Sequence, residues 1–232
     1  MPENNPLEIE LYINSDLRTS SKIITVTWLN HSSLLQLKNS TRLLEEFSYI
    51  GIDGYFLKTL LGKRFERSSA DLVIPKLLAD LECKVFLVGG EDLLLTKRLK
   101  SFMSIFPKAK VLLNISGYGE DTESRILEAS KIDMPDFIFL GLGAKKQEQI
   151  AITISKAIKY QKPTLIATCG GWLDQITVPN YYPKWAYPLK LNWLVRMVRE
   201  PRRLWRRYTF DVVKILFEKT LLKKIRRATN VT

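Results

Sequence analysis

Phe137-Ile138-Phe139-Leu140-Gly141-Leu142-Gly143-Ala144-Lys145-Lys146-Gln147-Glu148 is the stretch that decides the fold. Four consecutive apolar residues bounded by glycine read as a short buried strand. Gly141 and Gly143 then turn the chain, and the spacing beyond them predicts a helix from Lys145 to Tyr160. The same rhythm stands on both sides. Lys84 to Val88 reads as a strand closed by Gly89-Gly90 and followed by a helical stretch to Phe106. Lys110 to Asn114 reads as a strand, Thr122 to Lys131 as a helix, and Thr164 to Thr168 as a strand closed by Gly170-Gly171. Strand, glycine turn and helix in repetition specify an α/β fold, with a mostly parallel, Rossmann-like sheet and helices on both faces. Ligands on such sheets bind at the carboxyl ends of the strands, where all three glycine pairs fall.

Upstream, residues 22–29 are β-branched and read as a strand. Leu35, Leu43, Leu44 and Phe47 give Leu34 to Ile50 helical spacing. Gly51-Ile52-Asp53-Gly54 punctuates the chain before the apolar stretch Tyr55 to Leu61, and Ser69-Ala70-Asp71 opens a helix over Leu72 to Leu81. Downstream, the prolines and tyrosines of Val178 to Pro188 mark a linker or an ordered loop. Two helical stretches follow, Leu189 to about Tyr208 and Thr209 to Arg227. The expected organisation is an α/β catalytic core over 1–183 and a basic helical C-terminal appendage over 184–232.

Charge sets that appendage apart. The net charge is +12, and Lys184 to Thr232 holds 14 Lys/Arg against three acids, whereas the rest is nearly balanced. Such a tail calls for an anionic partner: nucleic acid, anionic lipid or a phosphorylated ligand. Arg196, Arg199, Arg203 and Arg206/Arg207 are spaced by three and four, so an uninterrupted helix would gather them on one face, with Pro201 as the place where it breaks. Like charges so grouped suit phosphates, which guanidinium binds bidentately. Phe210, Val213, Phe217 and Leu221 form an apolar line opposite Lys219, Lys223, Arg226 and Arg227. That pattern suits a membrane surface or packing on the core.

Composition bounds the remainder. Two hundred and thirty-two residues, 46% hydrophobic and 26% charged, can bury a full core and exclude disorder as the main state. Cys83 and Cys169 are too few for a disulfide scaffold or a four-cysteine zinc site, and His31, the single histidine, argues against a His-rich metal site or a Ser-His-Asp triad. Met1 to Glu10 is polar and acidic, unlike a secretory signal, and no apolar run approaches the roughly 18 residues of a spanning helix. A soluble protein of a reducing compartment is expected.

Glycine at three strand ends lets backbone amides approach a phosphate or sugar, although tight turns also want glycine. Gly141-x-Gly143-x-x-Lys146 lacks the third glycine of a dinucleotide fingerprint, and no Walker motif occurs. Lys145 and Lys146 at a helix start oppose the helix dipole, which points to an anionic ligand or else a solvated first turn. Asp53 reads as a turn residue or a catalytic acid, Asp71 as a helix N-terminal acid, and Asp174 as a cap or a ligand-facing group.

Taken in order, Val26-Thr27-Trp28-Leu29-Asn30, Gly51-Ile52-Asp53-Gly54, Glu66-Arg67-Ser68-Ser69-Ala70-Asp71, Phe86-Leu87-Val88-Gly89-Gly90, Gly141 to Glu148, Gly170-Gly171 and the tail Asn192 to Tyr208 resemble the WecG/TagA/CpsF family of bacterial glycosyltransferases. The resemblance covers nearly the whole chain. It implies an inverting transfer of a sugar, an N-acetylhexosamine or related hexose, from a UDP donor to a polyprenyl-diphosphate-linked acceptor in cell-surface polysaccharide synthesis. It implies Asp53 as the base and Arg196, Arg203 and Arg206 as the arginines completing the site. Thr27, Asn30, Arg67, Gly89, Gly90, Gly143, Lys146, Gln147, Glu148, Gly170 and Gly171 become the expected substrate-binding set. No metal and no cofactor are expected, since no Asp-x-Asp motif occurs. An anionic membrane surface is an expected partner and nucleic acid is not, with the protein peripheral on the cytoplasmic face of the plasma membrane. Self-association through a core face under the tail is a further expectation. Lys145-Lys146 in place of Pro-Arg, Cys169 in place of glycine and Trp172 in place of a small residue depart from the family pattern and bear on the donor sugar. The alternatives are a nucleic-acid-binding protein and a non-catalytic membrane-surface scaffold.

Overall fold

The computed structural model describes residues 6–19, 22–63, 65–158 and 162–228. Its strands are β1 (Ile23–Leu29), β2 (Tyr49–Ile52), β3 (Cys83–Gly89), β4 (Ala109–Ile115), β5 (Phe137–Gly141) and β6 (Thr164–Thr168). They form one parallel sheet in the order β2-β1-β6-β5-β3-β4. The helices are α1 (Pro6–Thr19), α2 (His31–Gln36), α3 (Tyr55–Leu61), α4 (Ala70–Leu78), α5 (Leu95–Ile105), α6 (Thr122–Ile132), α7 (Lys146–Ala157), α8 (Trp172–Gln175), α9 (Asn192–Arg199), α10 (Pro201–Tyr208), α11 (Phe210–Phe217) and α12 (Lys219–Ala228).

The near-continuous apolar runs of the inner strands follow from cover on both faces. Side chains alternate across the sheet. Val85, Leu87, Phe137, Phe139, Leu165 and Ala167 join one cluster with Ile13 of α1, Ile74 of α4, Phe102 of α5 and Trp172 of α8. Phe86, Val88, Ile138, Leu140 and Ile166 join the opposite cluster with Leu34 of α2, Leu57 of α3, Ile126 of α6 and Ile154 of α7. Trp172, the departure from a small residue, packs among Phe102, Phe106 and Phe139. Cys83 and Cys169 are free and buried.

Register places the strand ends level. Gly89 pairs with Gly141, Leu140 with Thr168, and Leu29 with Ile52. The chain leaves β3 outward to β4 but leaves β5 the other way to β6, so a crevice opens at the ends of β3 and β5.

The structure departs from the sequence expectations in four places. Leu34 to Ile50 is not one helix. α2 gives way to a 3₁₀ segment, Lys38–Glu46, bent at Ser40, and Ile50 lies in β2. Pairing of Tyr49 with Val26 and burial of Ile50 and Ile52 override the local helical spacing. α1 was not foreseen; Ile9 and Ile13 are buried, and Tyr49 Oη donates to Asp16 at 2.7 Å. α7 ends at Ala157, and the predicted extension through Tyr160 runs into residues outside the described ones. The two tail helices are four, because Glu200 before Pro201 and Glu218 both leave helical backbone angles.

The tail is built into the body. Ile215, Leu221, Leu222 and Ile225 are buried in the cluster that contains Leu34 and Phe47, and each such side chain is worth about 1.5–3 kcal/mol of burial. The apolar line expected from Phe210 to Leu221 divides accordingly. Leu221 is buried, while Phe210, Val213 and Phe217 are exposed beside Trp205 and Leu216. The change of direction at Glu218 turns the two halves apart. Arg227 has no described side chain. Among the described residues no helix is long and apolar enough to cross a membrane.

Candidate active site

A cleft of about 580 Å³ runs along the carboxyl edge of the sheet. Asp53 and Gly54 line it after β2, Asn30 after β1, Gly170 and Gly171 after β6, Gly141 to Ala144 after β5, Gly90 after β3 and Gly117 after β4. The tail forms the opposite wall with Asn192, Trp193, Arg196, Arg203, Arg207 and Tyr208. Of the expected binding set, Asn30, Arg67, Gly90, Gly143, Lys146, Gln147, Gly170 and Gly171 line this cleft together with Asp53, Arg196 and Arg203.

Four expected residues do not. Thr27 and Glu148 are fully buried beneath the cleft floor. Glu148 Oε1 accepts from Thr27 Oγ1 at 3.1 Å and Gln147 Nε2 at 2.8 Å, and its Oε2 accepts from the Lys145 amide at 2.6 Å. Thr168 Oγ1 donates to Thr27 Oγ1 at 2.8 Å. This network ties β1, β6 and the start of α7 together and holds Lys145 at its positive φ of 71°. Burial pushes the Glu148 carboxyl up, against the opposing pull of the Gln147, Thr27 and backbone donors. Gln147 Oε1 in turn accepts from the Gly170 amide at 3.3 Å. Gly89 also lies below the lining; its φ is +144°, and a Cβ there would run into the backbone of Gly141.

Arg206 is the fourth. It is exposed, and Arg207 lines the cleft in its place. Fully buried Leu204 fixes the inward face of α10; Arg207 and Tyr208 lie three and four residues on and share that face, whereas Arg206, two residues on, points away. His31 Nε2 meets the Arg207 carbonyl at 2.8 Å and its ring packs against Phe56 and Tyr208, which docks α10 onto α2. Burial lowers the His31 pKa. Asn30 has a local task as well: its Oδ1 caps α2, accepting from the Ser32 and Ser33 amides.

The cleft gathers opposed charges. Burial lowers Arg207, and the neighbouring Arg196 adds to that. Burial also opposes the charge of Arg196, but Tyr182, Tyr208 and Asp53 raise it on balance. Arg203 pairs with Glu200. On the other side, Arg67 Nη2 lies 3.8 Å from Asp53 Oδ1 and 3.2 Å from Asp71 Oδ1, between the rings of Tyr55 and Tyr187. Tyr187 Oη donates to Asp71 at 2.7 Å, so the 178–191 loop reaches across to Asp71. Lys146 Nζ donates to the Gly117 carbonyl at 2.8 Å. Among the described residues, five cations and three carboxylates line the cleft, which leaves that lining net positive.

Several buried polar atoms at this cleft have no partner within the protein: Trp28 Nε1, Asp174 Oδ1, both amide atoms of Asn192, and Arg196 Nε. Each costs about 1–3 kcal/mol when buried unpaired, so each calls for a partner from outside the chain, ordered water or a bound ligand. Asn192 and Tyr182 were not among the expected residues, while Asp174, read as a cap or a ligand-facing group, lines the cleft. Asn192 carried the tail motif without a role, and the 182 ring is brought in only by the path of the loop.

A scan of family models matches residues 7–230 to the glycosyl transferase WecG/TagA/CpsF family. The chain belongs to this family. No curated protein matches it. As a WecG/TagA/CpsF family member, the protein is a glycosyltransferase of cell-surface polysaccharide synthesis. Among its described residues, no three His, Cys, Asp or Glu side chains come together as a metal-holding group.

Proposed function

We propose that this glycosyltransferase moves a hexose or N-acetylhexosamine from a UDP donor to a sugar on a polyprenyl diphosphate, with inversion at the anomeric carbon. One observation carries the proposal: Asp53 from the body and Arg196, Arg203 and Arg207 from the tail face one cleft whose floor is the row of strand-end turns. A carboxylate opposite grouped guanidinium groups suits one base and one diphosphate leaving group. The acceptor hydroxyl gives its proton to Asp53 as its oxygen attacks the anomeric carbon. The bond from that carbon to the diphosphate oxygen breaks, and UDP departs with the electron pair. Arg196, Arg203 and Arg207 neutralise the growing charge, with Arg207 in the place the sequence assigns to Arg206. Arg67 orients Asp53. With these cations as counter-charge, the reaction runs without a divalent metal.

The acceptor's lipid supports the location. Trp205, Phe210, Val213 and Phe217 are exposed on the tail among basic residues, and Trp193 carries the apolar surface to the cleft rim. Such a surface suits the interface of an anionic bilayer, and the protein works peripherally on the inner face of the plasma membrane. Asp53→Asn tests the base. Transfer from UDP-N-acetylhexosamine to a lipid-diphosphate acceptor mimic falls at least about a hundredfold in kcat while UDP affinity holds, as expected for removal of a general base. Near-full transfer by the variant would overturn the assignment.

A further inference from the structure

Asp53 shares a neighbouring cation with a second carboxylate. Asp53 follows β2, and its amide donates to the Leu29 carbonyl at 2.7 Å. Arg67 precedes α4, and the Ser68 amide beside it donates to the Ile52 carbonyl at 3.0 Å, which carries the guanidinium to the end of β2. Arg67 is 7% exposed. Its Nη2 lies 3.2 and 3.4 Å from the two oxygens of Asp71 but 3.8 Å from Asp53 Oδ1. The guanidinium is thus hydrogen-bonded to Asp71 and only ion-paired with Asp53.

Asp71 is fixed where it stands. It lies in the first turn of α4. Ser69 Oγ donates to its Oδ1, and Tyr187 Oη donates to its Oδ2 at 2.7 Å. The rings of Tyr55 and Tyr187 flank Arg67, their centres 5.5 and 5.9 Å from its guanidinium carbon. Burial works against the Arg67 charge, and Asp71, ahead of Asp53, restores it.

The proposed chemistry uses Asp53 and leaves Asp71 idle. A general base needs an oxygen free for the incoming hydroxyl. An arginine with one carboxylate to itself takes both oxygens in a bidentate pair. Its nearby charge also favours the ionised carboxylate, which makes a weaker proton acceptor. A buried guanidinium with only Asp53 in reach would close on it in this way. A second anion, nearer and immobile, draws the guanidinium back. The other groups that feel the Asp53 charge are Arg196 of α9, Arg207 and Tyr208 of α10, Tyr182 and Tyr187 of the 178–191 loop, and His31 of α2. Of these, Tyr187 alone bonds to Asp71, so replacing Asp71 acts on Asp53 chiefly through Arg67.

We propose that Asp71 is a positioning residue that keeps Arg67 from clasping Asp53, which leaves the Asp53 carboxylate open to the acceptor hydroxyl. The assignment rests on Asp53 as the base of the proposed reaction. Tyr187 anchors Asp71 from the loop that leads into the tail, so the docked loop and the ready base go together.

The test is single-turnover transfer from the UDP-sugar to the acceptor mimic, followed against pH, in wild type, Asp71→Asn, Asp71→Asn/Arg67→Gln, Tyr187→Phe and Asp53→Asn. Melting curves show which variants are folded, and calorimetry reads UDP affinity. In Asp71→Asn the plateau rate falls about thirtyfold while UDP affinity stays within about twofold. Its acid limb moves about one pH unit lower, because a closer guanidinium favours the ionised base. Adding Arg67→Gln removes the clasp and brings the limb back up. Tyr187→Phe, which keeps the ring and loses the anchor, shows both changes at smaller size, about threefold in rate. An acid limb at its wild-type position in folded Asp71→Asn, whatever the rate, overturns the assignment and leaves Asp53 as the base. A limb that stays low after Arg67→Gln does the same, as does an unchanged Tyr187→Phe where Asp71→Asn does not fold. Near-full transfer by Asp53→Asn overturns the proposed base, and the role of Asp71 with it.

Discussion

Replacing Glu148 by alanine removes the one acceptor shared by Thr27 Oγ1, Gln147 Nε2 and the Lys145 amide. Hydrogen bonds to an ionised group are worth about 1.5–3 kcal/mol each, so three sum to about 4.5–9 kcal/mol before any offset. Relief from burying the carboxylate returns several kcal/mol. Water entering the space recovers some of the rest, and the net loss is about 3 kcal/mol. In a chain of this size that lowers Tm by about 6–12 °C. Glu148→Gln keeps the volume and one acceptor oxygen and loses about half as much. Differential scanning calorimetry reads both. A pH series adds a sign. Because burial raises the folded pKa of Glu148 above its unfolded value, its bound proton favours the fold. Stability from this group is therefore highest in acid, declines as pH rises from about 4.3 toward the raised folded value, and is level above it. Gln has no such slope, so the wild type's advantage over Glu148→Gln narrows across that window. A Glu148→Ala melting point within about 2 °C of wild type would refute the view of this network as the floor of the cleft.

Two other outcomes are expected. Arg207→Ala lowers transfer from the UDP-sugar about a hundredfold, in the range of a lost leaving-group contact, whereas Arg206→Ala stays within about threefold; steady-state kinetics with the acceptor mimic compare them. Replacing Trp205, Phe210 and Phe217 together by serine abolishes co-sedimentation with anionic vesicles and leaves Tm near wild type, because all three are exposed.

Much of the sheet was legible because its inner strands announce themselves. Phe137 to Leu140 and Thr164 to Thr168 are short apolar runs closed by glycine, and their observed bounds lie within a residue of expectation. β2 was hidden because Tyr49 to Ile52 carries only four residues, and its identity comes from pairing with β1 across a loop. α1 was hidden because its buried Ile9 and Ile13 sit among polar and acidic neighbours. At the site, a strand-end position was enough to place Gly143, Lys146 and Gln147 on the cleft, whereas Asp53 was singled out by the family resemblance, because the strand before it was read as the end of a helix. Glu148 follows them by one residue yet turns inward, since successive helical side chains point about 100° apart and Thr27 waits on that side. The choice between Arg206 and Arg207 depends on the rotation of α10 about its axis. That rotation is set by Leu204 and by the His31 contact, neither of which adjoins the arginines' own spacing.

The tail helices combine two tasks that many proteins give to separate segments: Arg196, Arg203 and Arg207 wall the cleft, and Ile215, Leu222 and Ile225 seal a core face. Chain segments fold as they leave the ribosome, so the nascent sheet first stands with an uncovered greasy flank and a cleft that lacks one wall. Residues 192–228 repair both at once. A chain cut before Asn192 is expected to lose the wall and bare the flank together, so the completeness of the cleft and the solubility of the body rise and fall as one.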